Sequence, residues 1–213
     1  LGENPYEVIN IGSWLSRTAL DIIGVAGIGQ DFGALQNPEN ELAQKYASVF
    51  MTKDPLAKAI EYIAEIIDLS VILAFPIERN KRFATAATYI RDFCRQVVRQ
   101  KAEKLQQEKN EKGSTDGSDI CSIAFESGGF SEEGMVDQMM TFLAAGHETT
   151  ATALQWAIYM LCKFPVVQRR LRDEIRSSIP PPGANEPSTS NIDSLPYLNA
   201  VYQETLRFYP PLP

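Results

Sequence analysis

A mainly α fold is what this sequence predicts, on three observations. Apolar residues recur at three- and four-residue spacing through most of its 213 positions. No segment alternates apolar and polar residues between hairpin-type turns. Prolines such as Pro38, Pro165 and Pro196 fall where helices start or stop.

Taken in order, the first helical stripe is Trp14, Leu15, Thr18, Ala19, Ile22, Ile23 and Ala26, ending at Gly27 and Gly29. Asp31 to Pro38 reads as a loop, and Pro38 is predicted to open a helix through Leu42, Tyr46 and Phe50. A further helix is predicted from Pro55 to Ser70, with Pro76 as a break. The clearest amphipathic run follows: Phe83, Ala86, Ala87, Ile90, Phe93, Cys94, Val97 and Val98, with Lys and Arg opposite. Residues 106–118 are polar and contain glycine, and are predicted to be a mobile linker. Ser131 can cap the next helix, whose Glu132 and Glu133 suit its positive end. That helix should run to Lys163, long enough to cross a domain. Phe164-Pro165 ends it and starts another, Val166 to Ser178. Residues 180–191 read as a second mobile loop, after which Asp193 or Ser194 would cap a last helix, Pro196 to Phe208. The whole chain, 1–213, is read as a single partial domain.

Composition is that of an ordinary globular chain, 44% hydrophobic and 22% charged. A net charge of −7 argues against nucleic acid as a partner. Residues 78–112 nevertheless hold ten Lys or Arg against five Asp or Glu. The plain reading is a solvated helix face; a module over 81–109 that meets acidic lipid headgroups is the alternative. No apolar run reaches the ~18 residues of a membrane span, and there is no signal peptide. Of the three cysteines, Cys94 and Cys162 sit at apolar helical positions and read as buried thiols. Starting at Leu1 and stopping at Pro213, the chain reads as an internal stretch of a longer protein.

The chemistry lies in Ala145-Gly-His-Glu-Thr-Thr150, inside the long helix. Glycine there costs about 1 kcal/mol against alanine, so something is expected to approach that backbone closely. Thr141, Phe142, Ala145, Thr149 and Thr152 fall near one helical face. Ala145 and Gly146 would let a flat ligand pack, with the Thr149 hydroxyl one turn on and Glu148 as a neighbouring proton source, which suits general-acid work. The plain alternative is a core helix bent by threonines bonding back to carbonyls. A zinc-protease reading fails, because position 151 is Ala and the chain has one His. Glu204-Thr-Leu-Arg207 could pair across one turn, but with 17 Glu and 11 Arg about one such match arises by chance. Its setting, Leu-Pro-Tyr-Leu before and Tyr209-Pro-Pro after, sharpens it.

Together these segments resemble the cytochrome P-450 family of haem-thiolate monooxygenases. Ala145 to Thr150 is similar to the family's central I-helix motif, and Glu204 with Arg207 to its K-helix Glu-x-x-Arg, followed by Tyr209 to Pro211. Leu20-Asp-Ile-Ile-Gly24 and Gln30-Asp-Phe-Gly33 resemble fungal members in particular. The resemblance implies a partial P-450 fold spanning roughly helices E to K, with most of the family's small β structure missing. It implies haem iron as cofactor, with electrons from NADPH through a partner cytochrome reductase. Dioxygen would be activated and one oxygen atom inserted into a small, lipophilic organic substrate.

By the same resemblance, Thr149 and Glu148 would be catalytic, holding dioxygen with an ordered water and relaying protons. Ala145, Gly146 and Thr149 would flank the haem, while Thr141, Phe142 and Ala145 would touch substrate. Glu204 and Arg207 would be a buried structural pair that anchors a downstream segment. The family's axial cysteine loop has no counterpart here and would lie beyond Pro213, so this chain supplies no metal ligand and should be inactive alone. The longer protein would sit on the cytosolic face of the endoplasmic reticulum membrane. The rival reading is a truncated, non-catalytic helical protein without haem.

Overall fold

The structure, a computed structural model, describes residues 8–50, 71, 77–112, 119–181 and 187–212. Every regular element among the described residues is helical. The helix predicted over 55–70, the Pro76 break and residues 113–118 of the linker lie outside the described residues. Tertiary contacts divide the chain into two units, Arg17–Glu148 and Leu1–Ser16 with Thr149–Pro213.

α1 (Ile11–Ile23), which belongs to the first unit from Arg17 onward, passes into a π-helical turn, Gly24–Ile28. Gly29 closes it with φ of 73°, a left-handed conformation that favours glycine, and its N–H donates to the Val25 carbonyl at 3.0 Å. The buried face is Ala19, Leu20, Gly24, Gly27 and Ile28, whereas Trp14 and Ile22 of the predicted stripe are 47% and 52% exposed. Two polar side chains decide which face turns inward. Arg17, itself buried, donates to the carbonyls of Ala34 and Leu35 at 3.5 and 3.4 Å. Asp21, one turn on, accepts both of those residues' N–H groups at 2.8 Å. Pinning the loop this way sets the rotation of α1 and leaves part of its apolar stripe facing out.

α2 (Glu41–Phe50) starts after Asn40, not at Pro38: the Asn40 side-chain oxygen Oδ1 accepts the Ala43 N–H, and its Nδ2 donates to the Phe32 carbonyl. α3 (Glu78–Lys112) buries Ala86, Ile90, Cys94, Val97 and Val98, the face its periodicity predicts. It continues through the first half of the expected linker, because 101–112 is Lys, Ala, Glu, Leu and Gln with one Asn, all able to stay helical. Asp119 caps the short α4 (Ile120–Glu126) by accepting the Ser122 N–H at 3.0 Å. Lys101 of α3 reaches both the Asp119 carboxylate and the Ile28 carbonyl, so one ammonium ties α3, α4 and the π-helical turn together.

Ser131 caps α5 (Glu132–Lys163) as predicted, its hydroxyl accepting the Gly134 N–H at 3.1 Å. α3 and α5 run antiparallel along a ladder of ion pairs: Arg91 to Asp137 at 2.7 Å, Arg95 to Glu133 at 2.9 Å, Arg99 to Glu132 at 2.7 Å. Surface pairs of this kind are individually weak, and their order, Arg91 to Arg99 against Asp137 to Glu132, is that of one antiparallel register. They also tie up part of the basic surplus of 78–112. No helix among the described residues is long and apolar enough to cross a membrane.

In the second unit, α5 ends at Phe164 and α6 (Pro165–Ser178) begins with Pro at its first turn. The predicted loop 180–191 finishes in a helical turn, α7 (Thr189–Asp193), because Ser188 and Asn191 form a capping box. α8 (Pro196–Phe208) is capped by neither Asp193 nor Ser194. Glu174 of α6 does it instead, accepting the Tyr197 and Leu198 N–H groups at 2.9 and 2.8 Å. A carboxylate at the positive end of a helix satisfies two otherwise unpaired donors.

Candidate functional site

α5 has two unlike faces. Val136, Met139, Leu143, His147 and Ala151 are buried, at helical spacing. On the other side Thr141 and Ala145 are exposed, and Phe142, Glu148, Thr149 and Thr152 are half-buried. The Thr141 hydroxyl donates back to the Asp137 carbonyl at 2.9 Å, so its polar atom is engaged by the helix's own backbone. His147 packs inward, edge-on to the Tyr46 ring at 5.1 Å. Burial raises the Glu148 carboxyl above the ordinary glutamate range.

Gly146 answers to something the sequence did not expect. A Cβ there would come within 2.7 Å of Ile23 Cδ1 and 2.9 Å of its Cγ1. The space beside this glycine is therefore filled by α1 rather than open to a flat ligand. Ala145, by contrast, lies on the open face.

Glu204 and Arg207 pair as predicted, through two parallel hydrogen bonds of 2.8 Å. Pairing with Arg207, chiefly by hydrogen bond, lowers the Glu204 carboxyl pKa. The expectation of burial is not met in this chain: the two side chains are 58% and 61% exposed. The reason is their place on the rim of an apolar groove of about 660 Å³, lined by Met160, Leu161, Phe164, Val201 and Phe208 among others. The Arg207 guanidinium lies 4.1 Å from the centre of the Phe208 ring, and Tyr209 stacks on Trp156 at 4.0 Å.

The cysteines need one correction. Cys94 and Cys121 are buried, whereas Cys162, predicted buried, is exposed. It falls on the outward side of α5 near that helix's end, where apolar spacing alone cannot assign a face. Burial, with Cys121 nearby, pushes the Cys94 thiol up to about 12, and burial raises Cys121 to about 11. Neither offers a thiolate, and Cys162 stands seventeen residues, about 25 Å, along the helix from Ala145. Sequence reasoning also missed Asp21, Arg17 and Glu174, which act on backbone groups and leave no mark in side-chain periodicity.

A family model described as Cytochrome P450 matches residues 2–213. The chain belongs to the cytochrome P450 family. Cytochrome P450 monooxygenase sphH of Aspergillus fumigatus is 44% identical over 209 residues, a match covering 96% of this chain and 38% of that protein. Cytochrome P450 monooxygenase FUM15 of Gibberella moniliformis is 43% identical over 219 residues, covering 97% of this chain and 36% of the relative. The chain thus spans well under half the length of the curated P450 relatives it matches. A structure described as the haem domain of cytochrome P450DA superposes with a TM-score of 0.69 over 96% of this chain and 41% of that one, at 20% identity. That likeness shows the P450 fold for these helices. For the haem that the family binds, the chain offers at Ala145 an exposed, small-residue stretch of α5, while two of its three cysteines, Cys94 and Cys121, are buried thiols.

Proposed function

We propose that this chain forms the oxygen-side wall of a haem-dependent monooxygenase whose remaining parts lie outside this sequence. The observation that most supports the reading is the division of α5. Its core face is fully used, while the face bearing Ala145, Glu148 and Thr149 is open or half-open and carries the only raised carboxyl on the helix among the described residues. Haem, when bound, supplies dioxygen activation and transfer of one oxygen atom to a lipophilic organic substrate, the other leaving as water.

The protein's own groups do the rest. Ala145 presents a methyl group with no polar atom, leaving room for the ring face. Thr149, four residues on and about 6 Å along the axis, holds an ordered water at that face and steers its proton. Glu148 keeps its proton to higher pH than an ordinary glutamate, so it can donate and be reloaded from solvent. Phe142 and the methyl of Thr141 give an apolar contact for substrate and keep bulk water away from the hydroxyl. Glu204 and Arg207, with the apolar groove beside them, are the surface on which the cysteine-bearing segment rests. Electrons come from NADPH through a partner reductase, on the cytosolic face of the endoplasmic reticulum.

The test is Thr149→Ala in the full-length, haem-loaded protein. Product formed per NADPH oxidised should fall about tenfold or more, with haem content unchanged. An unchanged ratio would make Thr149 a packing residue and remove the proton role.

A further inference from the structure

Ile23 closes α1 just before the π-helical turn, and its side chain reaches two glycines at once. Its Cδ1 lies 2.7 Å from where a Cβ on Gly146 would stand and 3.2 Å from where one on Gly27 would stand. We infer that Ile23 is a positioning residue for α5: lodged between Gly27 and Gly146, it sets the level at which α5 carries Glu148 and Thr149. The inference rests on the reading of α5 as the proton-delivery wall.

The contact is stiff from the Ile23 side. A β-branched residue in a helix keeps one dominant χ1 rotamer, which fixes the Ile23 Cγ1 that a Cβ on Gly146 would meet at 2.9 Å. The backbone that bears it is clamped as well. Gln30 donates to the Gly24 carbonyl at 3.0 Å, and a Cβ on Gly24 would meet the Gln30 carbonyl oxygen at 2.6 Å and the Phe32 ring at 2.9 Å. The turn therefore cannot retreat, and α5 is the partner that shifts when this contact changes size. Glu148 and Thr149 follow Gly146 by two and three residues on a continuous helix, so they move with it. A displacement of about 1 Å at a catalytic group can cost about a hundredfold in rate.

Removing the isoleucine and filling the glycine should compensate. Ile23 Cβ lies 3.6 Å from the Cβ position of residue 146, so alanines at both places would make an ordinary contact. The experiment compares Ile23→Ala, Ile23→Val, Gly146→Ala and the double variant Ile23→Ala/Gly146→Ala in the haem-loaded full-length protein. Product per NADPH, haem content and Tm are measured for each. Each alanine single should lower product per NADPH about tenfold, and the double should recover to within about threefold of the parent. Ile23→Val, which loses only the tip, should fall between parent and Ile23→Ala, and it serves if Gly146→Ala does not fold. Tm should show the same non-additivity.

A double variant as uncoupled as the singles overturns the inference. So does a set in which Tm and haem content fall while the haem-loaded remainder keeps its product ratio, since that is packing alone. Thr149→Ala run alongside separates the two levels. If it leaves the ratio unchanged, the reading of α5 fails and takes this inference with it. If it lowers the ratio and the Ile23 series does not, only the role of Ile23 fails.

Discussion

Glu148 shows how one residue's surroundings set its chemistry. Burial disfavours its charged form, so the folded state holds the proton to higher pH than the unfolded chain does. The native state then binds more protons than the unfolded state between the two pKa values, and stability falls as pH rises through that window. Glu148→Gln removes this dependence. Its Tm relative to the parent should therefore rise as pH is taken from 4 to 8. A constant Tm difference across that range would mean that Glu148 is solvated like a surface carboxylate. The motif was legible in the sequence as a point of function, because a glycine followed within four residues by a carboxylate and two threonines is a costly way to build a plain helix interior. What the glycine faces was not legible, since the answer lies on Ile23, more than a hundred residues away in the chain.

Helices were read well where their signals are local and less well where the deciding partner is remote. Ser131, Phe164-Pro165 and the apolar period located α5 to within a residue of its observed ends. The same logic did not foresee that Trp14 and Ile22 of the α1 stripe would face out, because the loop groups bound by Arg17 and Asp21 also set which side turns inward. It ended α3 too early by weighing polarity over helix propensity. The cap of α8 was sought among Asp193 and Ser194, whereas Glu174 supplies it from another helix. Glu174→Ala should cost about 1–2 kcal/mol and speed hydrogen exchange at the Tyr197 and Leu198 amides. Unchanged protection at those two amides would show that water or another group serves equally well.

On the scale of the whole chain, the proposed haem-facing wall comes with no exposed cysteine beside it among the described residues of its unit. Cys94 and Cys121 are core thiols kept protonated by burial, and Cys162 is remote from Ala145. Purified alone and mixed with haemin, this chain should give no thiolate-type spectrum on reduction under carbon monoxide; a band of that type would require one of these cysteines to reach the iron. The family was legible because its motifs occur in order across the chain. The substrate was not, because the chain spans well under half the length of its relatives. Lys101 carries a different kind of consequence. Its nitrogen is committed to Asp119 and to the Ile28 carbonyl, and only 13% of its side chain meets solvent. As a nucleophile it is therefore withdrawn: acylating reagents and acetyl-transferring enzymes will pass over it in favour of lysines on the outer face of α3. Any modification that does reach it must first open the junction of α3, α4 and the π-helical turn, so an acyl group found there marks a molecule that has already come apart at this node.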